Sequence, residues 1–117
     1  MRGQEGEASV LVDVKYSTVN YKDALVVTGN YAGLKFPMVG GVDLTGTVVS
    51  DDSGAFAPGS EIVVNSFGIG TDHWGGYCQQ ARVRPEWCLS LPSGMDQLTC
   101  ARIGTAGYTA ALCVQVD

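Results

Sequence analysis

The chain has 117 residues, 45% of them hydrophobic and only 16% charged, with sixteen Gly and four Pro. That length suits one domain, without room for separate cofactor and substrate domains, and the low charge fraction excludes a disordered tail. A net charge of -5 with no basic run excludes the clustered cations that nucleic-acid binding requires. The abundant glycines argue for tight turns between short strands rather than a helical bundle. Residues 103–116, the longest charge-free stretch, are too few and too rich in Gly and Thr to span a membrane. The first seven residues lack the apolar core of a signal peptide, so a cytoplasmic location is expected.

In chain order, Val10, Val12, Val14 and Tyr16 alternate with Leu11, Asp13 and Lys15, the period of a half-buried strand. Ser17 or Asn20 is placed to cap a short helix over 21–28, which Gly29 would stop. Residues 42–50 read as a strand in which Gly46 marks a bulge or a close backbone approach. Turns follow at 51–54 and at Pro58-Gly59, then a short strand over 61–65 and a Gly-rich loop over 67–76. Residues 77–84 alternate again, and 87–91 form a last strand before Pro92. The pattern then changes: 96–103 reads as a helix with Asp96 at its N-cap and Cys100 facing the core beside Leu98 or Ile103. Gly104 to Gly107 open a second helical segment over 108–116. Strands first and helices last predict a mainly β fold, a small barrel with one or two short C-terminal helices. The expected core includes Val12, Val14, Leu25, Val48, Ile62, Val64, Val83, Leu89 and Leu91.

The four cysteines, Cys78, Cys88, Cys100 and Cys113, lack the close spacing of a zinc knuckle, and there is a single His. Cys88, Cys100 and Cys113 stand in apolar surroundings, where a free thiol acts as a small hydrophobe. Reduced core thiols are therefore expected rather than disulfides or a metal site.

Four stretches carry candidate chemistry. Residues 17–23, Ser-Thr-Val-Asn-Tyr-Lys-Asp, put side-chain hydrogen-bonding groups at a strand-to-helix junction. They suit either a ligand or a plain N-cap with Lys22 and Asp23 in solvent. Asp43, set among apolar residues, is either an acid at a cleft edge or a structural carboxylate bonded to loop amides. His73 is either a proton carrier or a surface loop residue, and Trp74 either stacks on a planar ligand or plugs the core edge. Gly104 to Gly107 at a helix start expose backbone N–H groups that favour an anion, and close helix packing explains them equally well.

Taken together and in order, these stretches resemble the N-terminal part of the medium-chain dehydrogenase/reductases. The similarity is to the zinc-independent quinone oxidoreductase and acryloyl-CoA reductase subfamily. The residues that carry it are Asn20-Tyr21-Lys22-Asp23-Ala24-Leu25; Phe36-Pro37-Met38 with Gly41, Asp43, Gly46 and Val48; His73-Trp74-Gly75-Gly76; and Gly104-Thr105-Ala106-Gly107-Tyr108-Thr109-Ala110. The resemblance implies a partial GroES-like β-barrel over 1–117, truncated relative to the family, with the Rossmann domain that holds NADPH absent from this chain. It implies a small-molecule substrate, reduced by hydride transfer to an activated alkene or a quinone, and a chain inactive by itself. Asn20, Tyr21 and Lys22 would line the catalytic cleft, Tyr21 and Trp74 the substrate side, and Thr105 and Thr109, with Asn20, the cofactor side. Zinc-dependent relatives place Cys at the position of Asn20 and a His-Glu pair at Val42-Asp43, so no metal is expected. An alternative is a non-enzymatic ligand-binding or self-associating module, with exposed strand edges that favour a homodimer.

Overall fold

The structure, a computed structural model, describes residues 8–115. The polar N-terminal run and the predicted helix end at Val116 lie outside the described residues. Five strands form one antiparallel sheet: β1 (Val10–Ser17), β2 (Asp43–Asp51), β3 (Glu61–Asn65), β4 (Gln80–Val83) and β5 (Leu89–Ser90), in the order β4-β1-β2-β3-β5. A short helix α1 (Tyr21–Val27) follows β1, and a long helix α2 (Gln97–Gln115) follows β5. The sheet is open, with β4 and β5 at its edges, rather than closed into a barrel.

Strand alternation sorts the side chains onto two faces. Val10 and Val12 from β1, Leu44 and Val48 from β2, Ile62 and Val64 from β3, and Ala81 and Val83 from β4 form one core with Ile69, Trp87 and Cys88. On the opposite face, the Thr45 hydroxyl donates to the Gln97 carbonyl (3.4 Å) and Gln97 Nε2 donates to Thr47 Oγ1 (3.4 Å), so α2 lies across β2. Asp43 belongs to this second face, by alternation with Thr45 and Thr47, and so starts the strand on the side of α2.

Gly46 has the role its position in the strand predicted. It pairs with Val14, and a Cβ there would lie 2.3 Å from the Asp13 carbonyl oxygen. The register of β1 against β2 shifts between Val14 and Tyr16, beside this close approach. The helix break at Gly104 is also backbone-driven: φ 52° and ψ -166° lie outside the helical region and divide α2 into segments 97–103 and 105–115.

Several predicted details are corrected. The strand expected over 87–91 is only Leu89–Ser90, because Pro85 starts a 3-10 turn over Pro85–Trp87 that consumes its first residue. Trp87 and Cys88 are buried in succession, and Leu89 is 64% exposed rather than in the core, paired with Val63. The strand expected over 77–84 begins only at Gln80, because the N–H groups of Gly75, Gly76 and Tyr77 bond to the carbonyls of Val39, Gly41 and Gly40. Cys100 is buried with Ala101 and Gly104, whereas Leu98 and Ile103 are exposed. Leu25 and Leu91 are half-buried, and Val26 takes the inward place on α1. All four cysteines are free thiols, but Cys113 is exposed rather than a core residue.

Candidate functional site

The site is a polar junction between the β1–α1 loop, the start of β2 and the kink of α2, and its centre is the Asp43 carboxylate, 2% exposed. Oδ2 accepts from Thr18 Oγ1 (2.8 Å), Asn20 Nδ2 (3.2 Å) and the Thr105 N–H (3.1 Å), and Oδ1 accepts from the Thr105 hydroxyl. Each of these contacts is a donor, which the ionised carboxylate satisfies because it only accepts. A hydroxyl has one proton to give, so with Thr105 donating to Asp43, Ser66 Oγ donates to Thr105 Oγ1 (3.1 Å).

Asp23, 1% exposed, is a second buried carboxylate. Its Oδ2 accepts the Asn20 N–H (2.9 Å) across the first turn of α1 and shares Asn20 Nδ2 (3.1 Å), and its Oδ1 accepts the Val42 N–H (2.9 Å). The acid three residues into the helix thus reaches back to the N-cap and also ties α1 to the residue before Asp43. Asn20 Nδ2 additionally donates to Thr18 Oγ1 (2.9 Å), so its two protons are divided among three acceptors. The Tyr77 hydroxyl closes the junction by donating to the Thr18 carbonyl (2.7 Å). Burial, reinforced by the charges of Asp23 and Asp43, pushes that phenol up to about 12.

The helix start at Gly104-Thr105 therefore holds an anion, and the anion is the protein's own. The Thr105 N–H stands at the beginning of segment 105–115, where the backbone dipole favours negative charge, and Asp43 supplies that charge. A Cβ at Gly104 would lie 3.0 Å from Asp43 Oδ2, so the glycine lets the carboxylate approach.

Two of the sequence-derived site residues, Asn20 and Thr105, thus meet on one carboxylate oxygen. Thr109 lies one helical turn beyond Thr105, on the same side of α2, and is exposed. Tyr21, 80% exposed, and Lys22, also exposed, form the first turn of α1 directly after Asn20. Trp74 is held elsewhere: its indole Nε1–H donates to the Pro37 carbonyl (3.1 Å). His73 packs against Trp87, with ring centroids 5.0 Å apart. The sequence left Asp23 either in a ligand-presenting cluster or in solvent, and it is buried instead as a structural carboxylate; Tyr77 was passed over. The signal for Asp23 was its place three residues after an Asn N-cap; Tyr77 had none beyond its alternation. Among the described residues, no three His, Cys, Asp or Glu side chains come together in a way that could hold a metal.

Residues 6–115 match the alcohol dehydrogenase GroES-like domain. The chain belongs to this family. Within the GroES-like family it is 45% identical over 109 residues to the probable acrylyl-CoA reductase AcuI of Escherichia coli, covering 92% of this chain and 34% of that protein. It is 46% identical to the acrylyl-CoA reductase AcuI of Ruegeria pomeroyi over 90% of this chain and 32% of that one. The yhdH oxidoreductase of Salmonella enterica, solved in complex with NADP, superposes with a TM-score of 0.88 at 44% identity, over 92% of this chain and 33% of that chain. The chain thus spans about a third of the length of these relatives.

The dinucleotide implied by the resemblance can be tested against the donors present. The helix start at Thr105, which would otherwise suit a phosphate, is already filled by Asp43. What remains exposed on the first turn of α1 and on α2 is the hydroxyls of Tyr21 and Thr109 and the Lys22 ammonium, the Asn20 amide protons being already engaged. Hydroxyls and an ammonium are donors that would suit a nicotinamide amide and, at Lys22, an anionic oxygen as well.

Proposed function

We propose that this GroES-like chain forms the substrate-side wall of a cytoplasmic NADPH-dependent reductase acting on an activated alkene of the acryloyl-CoA type or on a quinone. The observation that carries the reading is the Asp43 carboxylate, which joins Asn20 to Thr105 and so fixes the α1 start against the α2 kink. The 46% identity to the acrylyl-CoA reductase AcuI of Ruegeria pomeroyi supports it.

The chemistry that NADPH supplies when bound is a hydride. Thr109, with Thr105 and Asn20 behind it, would hold the nicotinamide end. Negative charge that develops on the substrate oxygen is met by the Lys22 ammonium and the Tyr21 hydroxyl, both displayed on the first turn of α1. Tyr21 then donates the proton that completes reduction, with water as the substitute donor. Trp74, fixed by Pro37 away from the junction, is given the outer flank of the substrate by the family resemblance. Asn20 and Thr105 act mainly by position, because their polar protons are engaged by carboxylates.

The test is a chimera in which this chain replaces the matched segment of the Escherichia coli relative, assayed for NADPH oxidation with acryloyl-CoA and with a quinone. Turnover is expected, with Tyr21→Phe lowering kcat by about a hundredfold if the hydroxyl is the proton donor. A folded chimera that binds NADPH and reduces neither substrate overturns the reading. The 117-residue chain alone is expected to give no turnover. A second reading, a self-associating module, draws on the exposure of every residue from Tyr108 to Gln115, Leu112 and Val114 among them. A stable dimer of the chain, together with an inactive chimera, would favour it.

A further inference from the structure

A cavity of about 290 Å³ opens between the end of β3, the 3-10 turn and the second segment of α2, lined by Asn65, Ser66, Phe67, Trp87, Leu89 and Tyr108. Its volume is at the lower end of small-molecule pockets. Two consecutive non-glycine residues on its rim have positive φ, Ser66 at 69° and Phe67 at 60°. For a bulky side chain this is a true outlier and costs free energy. At Ser66 the fold gains from it, because the hydroxyl reaches Thr105. At Phe67 the outcome is an aromatic ring left 56% exposed.

That ring is nonetheless held in place. It lies within 12° of parallel to Trp87, centroids 6.4 Å apart, and Trp87 is itself buried and braced by His73. Tyr108 and Leu89, both more than half exposed, complete the walls. An aromatic ring stacked on buried Trp87 and lining an open cleft is a preformed stacking surface. We propose that this cleft binds a small planar aromatic ring compound, stacked against Phe67 and edged by Tyr108 and Leu89. The ligand is planar because the walls are flat rings, and uncharged because the lining residues carry no charge. Through Ser66 and Thr105 the cleft adjoins the Asp43 junction, but the inference needs neither NADPH nor turnover and stands apart from the reductase reading.

The test uses the full chain carrying Trp74→Phe, so that Trp87 is the remaining tryptophan, titrated with naphthol and followed by its emission. Saturable quenching is expected, weakened roughly tenfold by Phe67→Ala. Cyclohexanol, apolar but not planar, is expected not to compete. Phe67→Tyr, which keeps the ring, should retain binding, and Phe67→Leu, which keeps apolar bulk, should lose it; this pair decides the matter if the alanine variant does not fold. Equal quenching in the Leu and Tyr variants, effective competition by cyclohexanol, or no saturable binding each overturns the proposal. Self-association that depends on Phe67 in the absence of naphthol binding overturns it too, in favour of a second copy of the chain.

Discussion

Replacing Asp43 by Ala removes the acceptor on which Thr18, Asn20 and both polar groups of Thr105 converge. Hydrogen bonds to a charged group contribute about 1.5–3 kcal/mol each, but not all of that is lost. Thr18 and Asn20 keep each other, Asn20 keeps Asp23, and the Thr105 hydroxyl keeps Ser66. Removing a buried charge also returns its desolvation cost. The net loss then rests on the Thr105 N–H at the helix start and on weakened contacts at the other donors, about 3 kcal/mol. With a urea m value of about 1.5 kcal/mol/M, the unfolding midpoint drops by roughly 2 M. Asp43→Asn keeps the shape but sets an amide NH2 among donors, and is expected to cost about half as much. The exposed Asp52→Ala is the control, expected within about 0.5 kcal/mol of the parent. Urea unfolding followed by tryptophan emission measures all three. A midpoint for Asp43→Ala equal to that of Asp52→Ala would refute the claim that this carboxylate holds the junction.

Other consequences are accessible to simple measurements. Gly46→Ala puts a Cβ 2.3 Å from the Asp13 oxygen and 2.6 Å from Val12 Cγ1, and a strand backbone cannot step aside; a loss of roughly 3 kcal/mol is expected in urea unfolding. Thiol labelling should separate the cysteines: exposed Cys113 reacts first, and Cys88, whose thiol burial and the charges of Asp51 and Glu86 push up to about 12, reacts last. Equal rates at the two positions would contradict the burial described. The Tyr77 phenol titrates near 12 in the folded chain against an ordinary 10. Its neutral form is the one the fold favours, so its stabilising contribution is complete below pH 10 and fades from there to about 12. An ultraviolet titration should show one late tyrosine that disappears in Tyr77→Phe.

The strands with strict alternation were legible because one face of the sheet is buried: Val10, Val12, Val48, Ile62 and Val64 all point where the pattern sends them. Pattern failed where a turn changed its phase. Pro85 starts a 3-10 turn, so Trp87 and Cys88 are both buried and Leu89 faces outward, which no alternation rule foresees. It also failed at Tyr77, whose N–H bonds to the Gly40 carbonyl, and the strand begins only at Gln80 although the Gln79 carbonyl already accepts the Val14 N–H. The polar residues of the junction were visible as types. Their assignment was not, because an N-cap and a ligand site draw on the same side chains. Asp43 could be read as structural or functional, and only the meeting of loop, strand and helix on one carboxylate decides its local role.

That role has an electrostatic consequence for whatever approaches this face. An unfilled helix start attracts phosphate, and Gly104-Thr105-Ala106-Gly107 carries the backbone freedom to present one. Asp43 fills it from within, as part of the same chain, so an external anion would have to displace an acceptor that cannot diffuse away. With Asp23 beside it and a net charge of -5 overall, the junction repels further negative charge rather than collecting it. The exposed Tyr21, Lys22 and Thr109 therefore offer mainly neutral donors with a single ammonium. On such a surface the Lys22 ammonium is the group that meets negative charge, and the hydroxyls of Tyr21 and Thr109 supply the neutral donors around it.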